Sequence, residues 1–175
     1  MLKPGDPAPP FDLPCAFDGK LSHLSIDGIR SEMVVLFFYP RDFSFICPTE
    51  VVGFHKAQPA FKAEHTSIVG VSTDDAESHR RWAIELGGVS YPLLADAGGR
   101  LAQAYGVFDE QEQAAMRATF VLDRARTIAY CVASPFNVGR SVSETLRIVR
   151  AIRTGRLCPA DWEPGAEFGP ADHKF

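Results

Sequence analysis

The sequence predicts an α/β domain with a mixed central sheet flanked by helices, and three observations carry that reading. Met33-Val34-Val35-Leu36-Phe37-Phe38 is apolar without alternation, as in a strand covered on both faces. Ser67 to Ser72 is a second such run, and each of the two is followed by residues at helical spacing, the order of a βαβ crossover. A later pair of strand-like runs, joined through Asp123-Arg124-Ala125-Arg126 and followed by an amphipathic helix, adds an antiparallel hairpin and makes the sheet mixed.

Taken in order, the elements begin with an irregular entry. Pro4, Pro7, Pro9, Pro10 and Pro14 exclude a helix, and Phe11-Asp12-Leu13 is at most a short edge strand. Asp18-Gly19-Lys20 is a turn signal, and with Leu21 and Leu24 it predicts a small hairpin. The apolar strand at 33–38 comes next. From Pro48 onward, Val51, Phe54 and Phe61 form one apolar helical stripe that Pro59 is expected to kink or split. After the 67–72 strand, Asp74 with Glu77 reads as a capping pair for a helix reaching Leu86, ended by Gly87-Gly88. Tyr91 to Asp96 carries a short strand or a loop, Arg100 to Tyr105 a short helix, and 106–115 a polar connection. Thr119–Leu122 and Thr127–Val132 are the hairpin strands. Ser141 followed by Glu144 opens a helix whose Val142, Leu146, Val149 and Ile152 share one face, ending near Gly155. Beyond it the composition turns to Gly and Pro without periodicity, so residues 1–155 read as one folded domain and 156–175 as a C-terminal arm.

A chain of 175 residues, 46% of them hydrophobic, buries one sizeable core and is too short for two ordinary domains. Its formal charge of -4, with no Lys/Arg block, argues against nucleic-acid and anionic-membrane surfaces. The first residues lack an apolar leader region and no apolar run is long enough to cross a bilayer, so a soluble, cytoplasmic protein is expected. Cys15, Cys47, Cys131 and Cys158 form no C-x-x-C pair and no zinc spacing, so no metal is expected, and in a reducing compartment they are catalytic or buried thiols. Cys131, inside a strand pattern, is expected to be buried. His23, His55, His65, His79 and His173 share no ligand spacing and read as surface or packing residues.

One cysteine is placed for chemistry. The strand at 33–38 runs into a tight loop, and Cys47 stands where the next helix begins, with Pro48 fitting the first helical position. Unpaired N–H groups and the helix dipole at such a terminus favour the thiolate, the nucleophilic form. The same position also suits a small buried hydrophobe, as unpaired cysteines commonly are, and position alone leaves both readings open.

The residues around it match a known pattern. Phe38-Tyr39-Pro40-x-Asp42-Phe43-x-Phe45-x-Cys47-Pro48-Thr49-Glu50 resembles the peroxidatic motif of the peroxiredoxins, and Cys158-Pro159-Ala160-x-Trp162-x-Pro164-Gly165 resembles the resolving-cysteine segment of their typical 2-Cys branch. The likeness continues through Asp74, Trp82, Pro92–Asp96, Arg117–Asp123 and Val138–Arg147. It implies a thioredoxin-like fold and reduction of hydrogen peroxide and alkyl hydroperoxides without a bound cofactor. Cys47 would be the peroxidatic thiol and Cys158 the resolving one, condensing with the Cys47 sulfenic acid of the partner in a homodimer, with a decamer left open. Arg117 would stabilise thiolate and leaving oxygen, Ser44 would bind the peroxide, and Pro40 would shield the sulfur. Glu50 and Arg140 would be the supporting pair. A thioredoxin-like protein or a flavoprotein disulfide reductase would restore the thiols. Trp82 reads most simply as a core aromatic, and Arg140, just before an N-cap, could equally be exposed.

Three departures from the family pattern stand out. Ser44 replaces the commoner threonine, Gly87-Gly88-Val89-Ser90 replaces a longer Gly-Gly-Leu-Gly segment, and the chain ends Asp172-His173-Lys174-Phe175 without a Tyr-Phe helix. Ser44 keeps the hydroxyl, so activity is expected to survive with looser packing; the other two leave less structure to hold the arm down and predict resistance to overoxidation. Two other readings stay open: a one-cysteine peroxidase resolved by an external thiol, and an oligomeric redox chaperone or signalling protein.

Overall fold

The structure, a computed structural model, describes residues 1–171. Its elements are β1 (Asp12–Phe17), β2 (Lys20–Ser25), β3 (Met33–Phe38), α1 (Cys47–Ala63), β4 (Thr66–Ser72), α2 (Ala76–Glu85), β5 (Leu93–Ala95), α3 (Arg100–Ala104), β6 (Phe108–Asp109), β7 (Ala114–Ala115), β8 (Arg117–Leu122), β9 (Ile128–Ser134) and α4 (Val142–Thr154). Seven strands form one sheet in the order β2-β1-β5-β4-β3-β8-β9. β5, β4 and β3 are parallel and the remaining neighbours antiparallel, so the sheet is mixed as expected.

β3 is buried along its whole length because both of its faces are covered. Val34, Leu36 and Phe38 enter one core layer with Tyr105 and Phe120, while Val35, Phe37 and Tyr39 enter another with Phe54, Phe61, Trp82 and Val149. Each such side chain contributes about 2 kcal/mol of burial, which makes β3 a rigid base for the Cys47 loop. Its register against β8 pairs Phe38 with Ala118, so Arg117 lies beside the point where β3 gives way to that loop.

The second layer is closed by α1 and α4. Gly53 of α1 abuts Val142, at 3.2 Å from where its Cβ would lie, and Glu64 at the end of α1 accepts from Arg150 Nε at 3.0 Å. Early residues therefore meet early residues and late meet late, so the two helices run side by side in the same direction.

Several expectations are corrected. β1 is a six-residue interior strand, not a short edge: β5 pairs with it only at Cys15 and Ala16, so the missing N–H of Pro14 breaks no rung there. The Asp18-Gly19 hairpin turn is present, with both residues at positive φ (51° and 69°). Cys47, not Pro48, is the first helical residue, and α1 continues through Pro59 without a break. The N-cap of α2 is Asp75, which accepts from Ser78 N–H at 2.7 Å, and Asp74 bonds elsewhere. Within 106–115, β6 and β7 pair into a small ribbon. Cys131 is half-buried, not buried, because β9 is an edge strand that is only partly covered beyond Ile128. The chain end at 172–175, including His173, lies outside the described residues.

Candidate active site

Three chain segments far apart in sequence meet at the first turn of α1. β3 fixes the base of the loop, α1 presents Cys47 and Glu50, β8 delivers Arg117 from the neighbouring strand, and the turn before α4 delivers Arg140. Arg117 Nη1 donates to Cys47 Sγ at 3.3 Å and to Glu50 Oε2 at 2.7 Å, while its Nε donates to the Phe136 carbonyl at 2.9 Å. Glu50 Oε1 in turn accepts from both the backbone N–H and Nε of Arg140, each at 2.9 Å. Arg140 Nη1 also reaches the Ala118 carbonyl at 2.8 Å and Thr119 Oγ1 at 3.1 Å, and its guanidinium lies over the Phe37 ring at 5.4 Å.

All of this is out of water. Cys47 is fully buried, and the side chains of Glu50, Arg117 and Arg140 are 1%, 4% and 3% exposed. Burial pulls the Arg140 guanidinium down from its ordinary range, and the Glu50 carboxylate opposes that pull. Two guanidinium groups against one carboxylate leave one net positive charge beside the sulfur, so a thiolate brings the cluster to neutrality. The fork of Arg117 is oriented by three fixed partners before any substrate arrives, which is the preorganisation that stabilises developing negative charge.

Glu50 holds the cluster together. Replacing it with alanine leaves two buried guanidinium groups facing each other, and removing one partner of a buried pair costs about 3–5 kcal/mol. Thermal denaturation of Glu50→Ala is therefore expected at a clearly lower temperature than wild type. A midpoint within a degree of wild type would mean that the carboxylate bears no structural charge.

Pro40 and Ser44 lie on the loop between β3 and α1. Pro40 is buried directly after Tyr39. Ser44 is half-buried, and its hydroxyl donates to the Arg41 carbonyl at 3.2 Å, so in this state its proton is engaged within the loop and is not presented outward. Phe45 stands 93% exposed at the rim. Trp82 is a core aromatic, against Tyr39 and Phe43 at 5.7 and 6.2 Å. Arg140 is drawn into the site and is not exposed.

Cys158 lies away from the others. It is half-buried beyond the end of α4, 3.5 Å from Thr154 Oγ1 and 3.8 Å from the Ala151 carbonyl. The segment after it packs back on its own chain: Trp162 is buried, its carbonyl accepts from Arg147 Nη1 at 3.0 Å, and its ring lies 5.3 Å from that of Phe168. Cys15 is buried in β1, where burial raises its thiol pKa. All four cysteines are unpaired.

Comparison with known proteins decides the family. The description of the AhpC/TSA family matches residues 4–131. The chain belongs to the AhpC/TSA family. It is 38% identical to peroxiredoxin prdx-2 of Caenorhabditis elegans over 173 residues, 93% of this chain and 86% of that one, and 38% identical to peroxiredoxin-2 of Bos taurus over 93% and 87%. Among solved structures it superposes on the reduced 2-Cys peroxiredoxin of Plasmodium vivax with a TM-score of 0.89 at 29% identity, covering 96% of this chain and 93% of that one. For Mycobacterium tuberculosis AhpC the TM-score is 0.84 at 31% identity, over 93% and 99%. This chain is thus a peroxiredoxin, a thiol peroxidase with the thioredoxin-like fold of that family. Among the described residues, no helix of this peroxiredoxin is long and apolar enough to cross a membrane.

Of the histidines read as surface or packing residues, His79 is a buried one. It is fully buried, with Nδ1 2.8 Å from Asp42 Oδ2 and Nε2 3.0 Å from the Leu94 carbonyl. The signal was its spacing: His79, Trp82 and Ala83 share the buried face of α2 at i, i+3 and i+4.

Proposed function

We propose that this peroxiredoxin reduces hydrogen peroxide and alkyl hydroperoxides by a two-cysteine cycle. The observation that carries the reading is the Arg117 Nη1 to Cys47 Sγ contact at 3.3 Å, held by Glu50 in a buried site. The Cys47 thiolate attacks the nearer peroxide oxygen; the S–O bond forms, the O–O bond breaks, and the leaving oxygen departs as RO⁻, which takes a proton to give water or an alcohol. Arg117 stabilises the charge first on sulfur and then on that oxygen. Ser44, turning from the Arg41 carbonyl, donates to the bound peroxide, and Pro40 keeps water from the sulfur. The product is a Cys47 sulfenic acid.

A second thiol then condenses with it, forming an S–S bond and releasing water. The positions of Cys47 and Cys158 favour resolution between subunits. Cys47 opens α1, whereas Cys158 lies past the end of the parallel helix α4, and at 1.5 Å per residue this separates them by about 20 Å within one chain. A disulfide needs Cα atoms within about 7 Å, so opening the first turn of α1 does not bring the two together in one chain. The segment from 156 onward acts as an arm that leaves its seat on α4 and carries Cys158 to a two-fold partner. A dithiol reductant, a thioredoxin-like protein or a flavoprotein disulfide reductase, then restores both thiols by exchange, which suits the reducing cytoplasm.

Peroxide consumption with dithiothreitol, followed by non-reducing electrophoresis, tests the cycle. Wild type is expected to pass through a dimer linked by disulfide, and Cys158→Ser to remain monomeric and accumulate sulfinic Cys47. Unchanged turnover and no sulfinic product in Cys158→Ser would favour a one-cysteine peroxidase instead.

A further inference from the structure

The central sheet has a gap beside the first half of β4. β5 pairs with β4 only from Gly70 to Ser72, and β1 meets β5 at Cys15 and Ala16 alone. Between β4, the β1–β2 hairpin and the second half of α1 lies a cavity of about 350 Å³. Its walls include Phe17, Leu24, Ile29 and Pro92 and the stretch of β4 from Thr66 to Val69, and it is also lined by two exposed cations, Arg30 and Lys62. Among the described residues no carboxylate lines it.

The ladder pattern fixes which backbone groups of β4 face this gap. The Val71 carbonyl accepts from Tyr39 N–H at 2.9 Å, so Val71 is turned toward β3. Gly70 N–H donates to the Pro92 carbonyl at 3.0 Å and the Ser72 carbonyl accepts from Asp96 N–H at 2.9 Å, so these two are turned toward β5. Along a strand the direction alternates, and Ile68 is the next residue on the β5 side. For the parallel ladder to continue, residue 92 would have to donate to the Ile68 carbonyl and residue 90 to accept from Ile68 N–H. Pro92 has no N–H to give. The 90–91 segment is held to α1 instead: Gln58 Nε2 donates to the Ser90 carbonyl at 3.3 Å, Ser90 N–H to His55 Nδ1 at 3.2 Å, and Tyr91 Oη to the Val51 carbonyl at 2.7 Å. The gap is thus built in. Ile68 is 2% exposed, and among the described residues its N–H and C=O meet no partner on that side. Buried main-chain groups without a protein partner are uncommon, and here a donor and an acceptor stand side by side in a cavity.

We propose that this gap binds a small peptide-like carboxylate, an N-acylated apolar amino acid. Its amide N–H donates to the Ile68 carbonyl and its carboxylate accepts from Ile68 N–H, the two bonds that a residue of an antiparallel strand would exchange there. Arg30 and Lys62 supply the charge that favours the acid, and Phe17, Leu24 and Ile29 receive the apolar side chain. Lys62 is near the end of α1 remote from Cys47, about 22 Å along the axis at 1.5 Å per residue, so the site is separate from the peroxidase chemistry.

Calorimetric titration of N-acetyl-L-leucine into the full, reduced chain tests the proposal. One site per chain is expected, with a Kd of about 1 mM or tighter. N-acetyl-L-leucinamide, which lacks the carboxylate, and N-acetyl-N-methyl-L-leucine, which lacks the amide donor, are each expected to bind about tenfold more weakly. Arg30→Gln combined with Lys62→Gln should weaken the acid about fivefold and leave the affinity of the leucinamide and the peroxide turnover unchanged. Both side chains are exposed; if the double variant nonetheless fails to fold, Lys62→Gln alone is expected to weaken the acid about twofold. Absence of saturable binding, equal affinity for the three ligands, or an affinity for the acid that these substitutions do not change would overturn the proposal.

Discussion

Cys47→Ser will lose peroxide reduction by on the order of 10³-fold or more, while folding to the same thermal midpoint within a few degrees. The oxygen of serine fits the space of the sulfur, so the core around Val51 and Phe54 is preserved, but an alcohol at neutral pH supplies almost no anion for the attack. Arg117, Glu50 and Arg140 remain in place and cannot act without a nucleophile. The measurement is peroxide consumption per subunit with excess dithiothreitol. Activity within tenfold of wild type would move the chemistry to another of the four cysteines.

Arg117→Met is expected to slow the reaction with peroxide by about 10²- to 10³-fold, the usual cost of removing an oriented donor from a developing oxyanion. Arg117→Lys should fall between, since an ammonium keeps the charge and loses the fork. The methionine variant should stay folded, because Glu50 retains Arg140 on both of its oxygens, through Nε at 2.9 Å and Nη2 at 3.3 Å. The effect therefore belongs in the second-order rate constant and not in the melting curve. Rapid-mixing measurement of that constant with hydrogen peroxide checks it, and a value within threefold of wild type would remove Arg117 from the chemistry.

How much of this the sequence carried differs from residue to residue. The β3 run and the start of α1 were legible because burial on both faces leaves no alternation, and the loop and helix after it are short-range features. The Arg117–Glu50–Arg140 cluster was not legible from spacing, since its members are separated by 67 and 90 positions and only the pairing of β3 with β8 and the turn before α4 bring them together. It entered through family likeness alone. β1 was underestimated because Pro14 was weighed without knowing that β5 is only three residues long. His79 read only as a surface or packing residue because the group it pairs with, Asp42, lies on a different element 37 positions away. Long-range pairing is what local patterns leave out.

The central claim is that Cys47 meets the peroxide and Cys158 of a second subunit resolves it. Peptide mapping of fully reduced protein quenched after one equivalent of hydrogen peroxide tests both halves at once, with chains of two isotopic compositions mixed beforehand to mark the subunits. The account predicts a Cys47–Cys158 linked peptide that includes the mixed-isotope form, with Cys15 and Cys131 still thiols. Peroxide consumed while Cys47 stays a thiol, or a Cys47–Cys158 link found only within chains of one composition although the subunits have exchanged, would contradict it.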